Sequence, residues 1–257
     1  MSETAEQIPQ QHEQRPAKKP RFEKHKGTPD LSQPMSETKR AILTSFTQYR
    51  DTLDAHYDRR ERVIKCSRDI TALSKKIDSP DRVFADAESK QKQVLELFRK
   101  MSAELQGSNG YKYNRQATPG LQEYIEAIGL WTFLRDSTLI TKQQVVESLS
   151  VADESGEVKP LLMVSDEDYI LGVSDLPGEV NRYCINSIGK GDRNAVERSL
   201  AFLRELKEGI NFVLCGGRIR DLDKKIPKIE KAYYSMSIRD DEMAKINPTA
   251  VAAAADA

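Results

Sequence analysis

The sequence predicts an all-α fold, and three observations carry that prediction. Apolar residues recur at intervals of three and four in segment after segment between residues 36 and 239, the period of one helix face. No convincing stretch alternates apolar and polar residues at the period of a strand. Prolines and glycines part the segments at Asp78-Ser79-Pro80, Gly107, Gly189-Lys190-Gly191 and Gly216-Gly217, as they do around helix ends. The expected architecture is a bundle of about six to seven helices.

The first helix is expected from Ser36 to about Ile77. Ile42, Phe46, Tyr49, Leu53, Tyr57, Val63, Ile64, Ile70, Leu73 and Ile77 keep near-helical spacing, with Pro34 before them. Its polar side is rich in bases, Arg59, Arg60, Arg62, Lys65, Arg68, Lys75 and Lys76, diluted by Asp58, Glu61 and Asp69. Such a stripe is either i,i+4 surface pairing or a phosphate-contacting face. Ser79 and Pro80 open a second helix, with Val83, Phe84, Ala87, Val94, Leu95, Phe98, Met101 and Leu105 apolar and Gly107 as its C-cap. Ser108-Asn109-Gly110 reads as a loop, and Tyr111, Tyr113 and Arg115 follow as base-stacking or core residues.

A third helix is expected from about Thr118 to Arg135, with Pro119 in its first turn or at a kink in a longer helix. Thr141 to Gln144 forms a capping box for a short helix, and residues 152–160 read as a polar surface insertion. Ser165 caps a helix running to about Ile188. The last two helices span about Ala195–Leu214 and Ile219–Arg239, the latter kinked at Pro227. The chain thus divides into a basic tail (1–35) that is polar enough to be disordered, a helical domain (36–242), and a disordered Ala-rich tail (243–257).

Composition narrows function. A length of 257 residues allows one large domain or two small ones, and 38% apolar with 31% charged residues suits a helical protein with a polar surface. Net charge is +0, so any nucleic-acid site is a local basic patch or is completed by a partner. Cys66, Cys184 and Cys215 are scattered and odd in number, without zinc spacing, and His12, His25 and His56 make no metal pattern; a reducing compartment is expected. There is no membrane-length apolar run and no apolar signal core at the start. Arg15-Pro-Ala-Lys18-Lys19-Pro-Arg21 reads as a nuclear localisation signal or nucleic-acid arm, against the plainer reading of a solvated charged tail.

The chemical clue is Gly120-Leu-Gln-Glu123-Tyr-Ile-Glu126-Ala-Ile-Gly-Leu130. Glu123 and Glu126 share a face of a helix that is apolar nearly all round, where an unpaired charge is costly. Asp175 and Glu179 form a second pair at i,i+4. Four carboxylates on two facing helices suit one or two hard divalent cations, magnesium or manganese, which would activate water for attack on a phosphodiester. The plainer reading is that Asp175 and Glu179 face water and that Arg182 pairs with Glu179.

The two acidic motifs, Gly120–Ala127 and Asp168–Glu179, resemble the translin-associated factor X branch of the translin family. So do Tyr57–Thr71, Cys184–Asp192 and Ala232–Arg239, and the likeness runs through about residues 40–240 in order. It implies a translin-like helical fold and assembly with translin into a closed hetero-oligomer. It implies a magnesium-dependent endoribonuclease acting on single-stranded or nicked RNA, such as passenger-strand fragments in RNA silencing and tRNA-processing fragments. The family's catalytic acids carry over to Glu123, Glu126 and Asp175, with Glu179 as the neighbouring fourth ligand. Lys65, Arg68 and Lys75 are the expected RNA contacts. Single-stranded DNA is a further expected ligand, no membrane is expected, and Lys18, Lys19 and Arg21 would serve import, placing the protein in cytoplasm and nucleus. The competing expectation is a non-catalytic partner that stabilises translin and aids its import. Pro177 departs from an ordinary helical segment and is expected to kink the helix between the two acids.

Overall fold

A computed structural model describes residues 35–77, 84–152, 156–216 and 219–246. Lys18, Lys19 and Arg21 lie outside the described residues, as does most of each expected tail. Two compact units divide the chain, Met1–Leu53 and Asp54–Ala257. The described part of the first unit is the opening of helix α1 (Glu37–Ile77), which exposes Ile42, Phe46, Tyr49 and Leu53. The helix packing and the candidate site lie in the second unit.

The fold is all-α apart from one short ribbon. α1 runs to Ile77 without Gly or Pro and ends on Lys75 and Lys76, the charge that suits a helix C-terminus. Its Val63, Ser67, Ile70, Ser74 and Ile77 are buried at helical spacing. α2 (Phe84–Glu104) returns beside it, burying Val94, Phe98 and Met101. Glu104 accepts from Arg59 at 3.2 Å and from Arg62 at 2.6 and 3.0 Å. Two bases of the stripe therefore tie α1 to α2, across helices rather than at the i,i+4 spacing of the surface-pairing reading. Gly107, at φ +62°, makes the left-handed turn out of α2.

α3 (Asn109–Asp136) starts nine residues before the expected Thr118 and keeps Pro119 in its interior. Tertiary contact compensates the proline. The Ser67 hydroxyl of α1 accepts from Gly120 N at 2.9 Å, so α1 caps the strained turn. The backbones approach so closely here that a Cβ on Gly120 would lie 2.8 Å from Ser67 O. His56 meets Tyr113 at 2.6 Å at one end, and Lys75 meets Glu123 at the other. These pairs run in the same order along both chains, so α1 and α3 are parallel. Tyr113 is thereby a buried core residue, while Tyr111 is exposed.

α4 (Lys142–Ser148) has the expected capping box between Thr141 and Gln144. β1 (Ser150–Ala152) and β2 (Val158–Pro160) pair antiparallel. This corrects the reading of the region as strandless insertion: two strands of three residues each are too short to show a period. The expected helix from Ser165 to Ile188 is in fact two, α5 (Asp166–Val173) and α6 (Leu176–Gly189). Pro177 explains the break, because it falls in the first turn of a new helix, where its missing N–H costs nothing. α7 (Arg193–Gly216) follows. α8 (Ile226–Ile246) begins later than expected, with Pro227 in its first turn rather than at a kink, and runs past Arg239 into the expected tail. The bundle thus has eight helices among the described residues.

α3 lies at the centre. Leu121, Tyr124, Ile125, Ala127, Ile128, Leu130 and Phe133 are all buried, so the helix is covered on almost every side. α5 crosses it where Gly172 abuts Ile125, and α6 where Leu176 meets Gly129. Phe133 stacks against Phe202 of α7 at 4.5 Å between centroids and edge-on to Tyr183 of α6.

Candidate functional site

The break between α5 and α6 brings the acids together. Ser165 caps α5 by accepting from Asp168 N at 3.0 Å, and its hydroxyl donates back to Asp168 Oδ2 at 2.7 Å. Gln122 of α3 donates to Asp168 Oδ1 at 3.1 Å. Asp168 is therefore a buried structural carboxylate, not a member of one line with Asp175 and Glu179 as a continuous helix would make it. Its bonds align α5 with the face of α3 that carries Glu123 and Glu126.

Asp175 stands at the junction, in the N-cap position of α6, but its side chain makes no capping bond. It receives instead the ammonium of Lys225, which also donates to Leu171 O at 3.0 Å. Glu179 follows in the first turn of α6. Glu123, Glu126, Asp175 and Glu179 all line one cleft of about 510 Å³, walled by Lys75, Arg182 and Lys228. Two helices, α3 and α6, and the junction before α6 thus deliver four carboxylates to one space.

Bases enter the same space. Lys75 Nζ lies 3.5 Å from Glu123 Oε1, Lys225 pairs with Asp175, and Arg182 pairs with Glu179. Arg182 reaches Glu179 Oε2 directly from one turn further along α6, so this oxygen is already in contact with a guanidinium. Among the described residues, no three acids, histidines or cysteines stand close enough to hold a metal ion directly. The cleft gathers the carboxylates but keeps them apart, with a base beside Glu123, Asp175 and Glu179.

Glu123 has the strongest electrostatic signature. Burial pushes its carboxyl above the ordinary range, the Lys75 ammonium opposes that, and the charges of Asp175 and Glu179 push it higher still. A raised carboxyl binds a proton more tightly folded than unfolded, so this contribution to stability is present at low pH and is lost as pH rises through the folded pKa. Glu123→Gln removes the penalty of the charged form. Without added metal, the stability of the variant relative to wild type is expected to grow from pH 4 towards neutrality, read by thermal melts across that range, starting about where a free glutamate titrates. A constant difference at every pH would show that Glu123 feels no such field.

Of the expected RNA contacts, Lys75 sits in the acid cleft. Arg68 lines a separate groove between α1 and α3, and Lys65 is exposed and lines neither. Lys225 and Lys228 had no signal in the sequence. Lys225 is 50 residues from Asp175 along the chain, and only the close contact of the loop before α8 with α5 brings the two together.

A translin-family sequence model matches residues 58–240. Translin-associated protein X of Rattus norvegicus is 31% identical over 235 residues, covering 79% of this chain and 81% of that protein. The Translin-associated protein X homolog of Schizosaccharomyces pombe is 26% identical over 223 residues, covering 79% and 91%. Translin of Gallus gallus is 29% identical over 136 residues, covering 50% and 57%. In fold, the chain is similar to the crystal structure of AfC3PO, with TM-score 0.61 and 20% identity over 80% of this chain and 99% of that one. It is also similar to the AfC3PO–duplex RNA complex, with TM-score 0.60 and 19% identity over 79% and 97%. The extent of the family match, which takes in all four acids of the cleft, establishes that this chain belongs to the translin family.

Proposed function

We propose that the chain is the catalytic subunit of a translin-containing, metal-dependent endoribonuclease that cuts single-stranded or nicked RNA. The observation that carries this reading is the convergence of Glu123, Glu126, Asp175 and Glu179 on one cleft. The similarity to Translin-associated protein X, and to a C3PO structure described as a complex with duplex RNA, supports it.

The residues suit a hard divalent ion. The donor set is all carboxylate oxygen lining one cleft, and Glu123 carries the repulsion of two neighbouring acids that a cation would relieve. Glu123, Glu126, Asp175 and Glu179 would hold magnesium or manganese. When bound, the ion supplies a Lewis acid and a water of lowered pKa. The protein's own part is positional. α3 fixes two acids in a buried frame, and the α5–α6 junction presents Asp175 with Lys225 holding its outer oxygen. Lys75, Arg182 and Lys228 give the cleft positive charge for a phosphate. Cytoplasm and nucleus are the proposed locations, with Lys18, Lys19 and Arg21 as import signal.

One observation favours the second reading, of a non-catalytic translin partner. Glu123, Asp175 and Glu179 already have a basic neighbour, as structural ion pairs would. Metal dependence separates the two. The chain co-expressed with translin is expected to cleave a short single-stranded RNA in magnesium or manganese and to stop in chelator. Its melting point should rise with metal, since a ligand at 100 times its Kd adds about 2.7 kcal/mol to the folded state. An assembled complex that neither melts higher with metal nor cuts would leave the partner reading standing.

A further inference from the structure

Beside the acid cleft lies a second groove of about 540 Å³ between α1 and α3. Arg60 and Arg68 of α1 and Arg115 of α3 bring three guanidiniums to it, around Ile64 and Pro119. Ser67 and Gly120 touch in the same region, where the helices approach most closely. Arg68 has no ion pair among the described residues. Arg60 meets only its exposed neighbour Glu61, at 3.0 Å. Arg115 acts at longer range on Asp221, whose main partner is Lys224. These three exposed guanidiniums have little carboxylate pairing and are available to an anion, and the planar fork of arginine matches phosphate.

A second, independent observation concerns Gln116. It lines the same groove, yet its Oε1 is buried without a hydrogen-bond partner. A buried amide oxygen of this kind lacks a donor. The groove therefore offers cations for phosphate, apolar contact at Ile64 and Pro119, and an acceptor in want of a hydroxyl. Phosphate, base and 2′-hydroxyl occur together in a ribonucleotide strand.

The groove also leads to the acids. Lys75 follows Arg68 by seven residues on α1, and Glu123 follows Gln116 by seven on α3. Two turns of parallel helices, about 10 Å, separate the sites.

We propose that this groove is a ribose-phosphate subsite for the RNA strand cut in the acid cleft. Arg60, Arg68 and Arg115 hold phosphates, and Gln116 accepts from a ribose 2′-hydroxyl. The proposal rests on the nuclease reading for the strand's fate, but its test does not. Equilibrium binding of a short single-stranded RNA, and of DNA of the same sequence, is measured in chelator at several salt concentrations, using the chain co-expressed with translin. Arg68→Gln with Arg115→Gln weakens RNA and DNA alike, and the slope of log K against log salt flattens by about 0.7 for each phosphate that is no longer neutralised. Gln116→Leu lowers the preference for RNA over DNA by about fivefold, the size of one hydrogen bond, and leaves the salt slope unchanged. Arg99→Gln, at an exposed pair with Glu96 on α2, serves as the charge control and leaves both affinities unchanged. If the double variant fails to assemble, the exposed Arg68→Gln alone carries the phosphate arm. Wild-type affinity, slope and RNA preference in all groove variants overturn the subsite, whether or not the wild-type complex cuts RNA. Altered binding in the groove variants beside a wild-type complex that does not cut upholds the subsite and removes the nuclease.

Discussion

Glu123→Gln is expected to reduce single-turnover RNA cleavage by the translin-assembled chain by at least about a hundredfold, since even outer partners of metal ligands carry roughly ten- to a hundredfold. Asp175→Asn should do the same. Both substitutions keep side-chain volume and remove one negative donor from a half-buried position on a rigid element, so assembly should persist. The decisive control approaches the same ion pair from the other side. Lys75→Met breaks the Lys75–Glu123 contact as completely as Glu123→Gln does. If Glu123 exists to pair with Lys75, the two variants should behave alike. If Glu123 is a donor for a cation, Lys75→Met leaves the donor in place and costs far less, through the loss of one positive wall residue. Lys225→Met should fall between, because Lys225 orients Asp175 without joining the acids. Equal losses for Lys75→Met and Glu123→Gln in assembled complexes would make the carboxylates structural.

Much of this arrangement was legible in the sequence because it depends on local rules. The helical period, the Thr141–Gln144 capping box, Ser165 as a cap, and the contrast between two glutamates and their apolar helix all reside within a few residues of chain. The misreadings have a common cause. Pro119 and Pro177 have the same intrinsic effect on a helix, yet one lies inside α3 and the other starts α6. The difference is that Ser67 of α1, far away in sequence, binds the backbone beside Pro119, whereas no such partner is needed at Pro177. Local chemistry marks where a helix is strained, and tertiary contact decides whether it continues.

The acid cleft shows the same division. Spacing placed Glu123 with Glu126 and Asp175 with Glu179, whereas the burial of Asp168 against Gln122 and Ser165 is a tertiary fact that only the structure shows. The bases were harder to see. Arg182 could be paired with Glu179 at i,i+3, while Lys225 and Lys228 belong to a charged run around Pro227 that looks like any solvated surface. Nothing in a single sequence distinguishes a lysine on a surface from one that crosses 50 residues to reach an aspartate.

The crossing of α5 over α3 is the point at which stability and chemistry are coupled, and Gly172→Ala is expected to damage both. A Cβ there would lie 2.7 Å from Ile125 Cβ, 2.8 Å from its Cγ2 and 3.1 Å from Gln122 O. No rotamer of Ile125 moves its Cβ away, so the helices themselves must part. Alanine gains about 1 kcal/mol over glycine in a helix interior, but forcing atoms into a packed contact costs about 1–3 kcal/mol, and backbone on both sides places this site at the upper end. The net expectation is a lower melting point, by a few degrees for each kcal/mol in a chain of this size. Ile125 lies between Glu123 and Glu126, and Asp175 follows Gly172 by three residues, so the displacement falls on the separation of the acids. Cleavage should therefore drop at temperatures where the complex is still fully folded. Gly209→Ala in α7 is the opposite case. It has nothing within 4 Å of its Cβ position, and the same substitution should raise the melting point and leave cleavage intact. Were Gly172→Ala to melt and cut like Gly209→Ala, the α5–α3 crossing would not be what sets the geometry of the cleft.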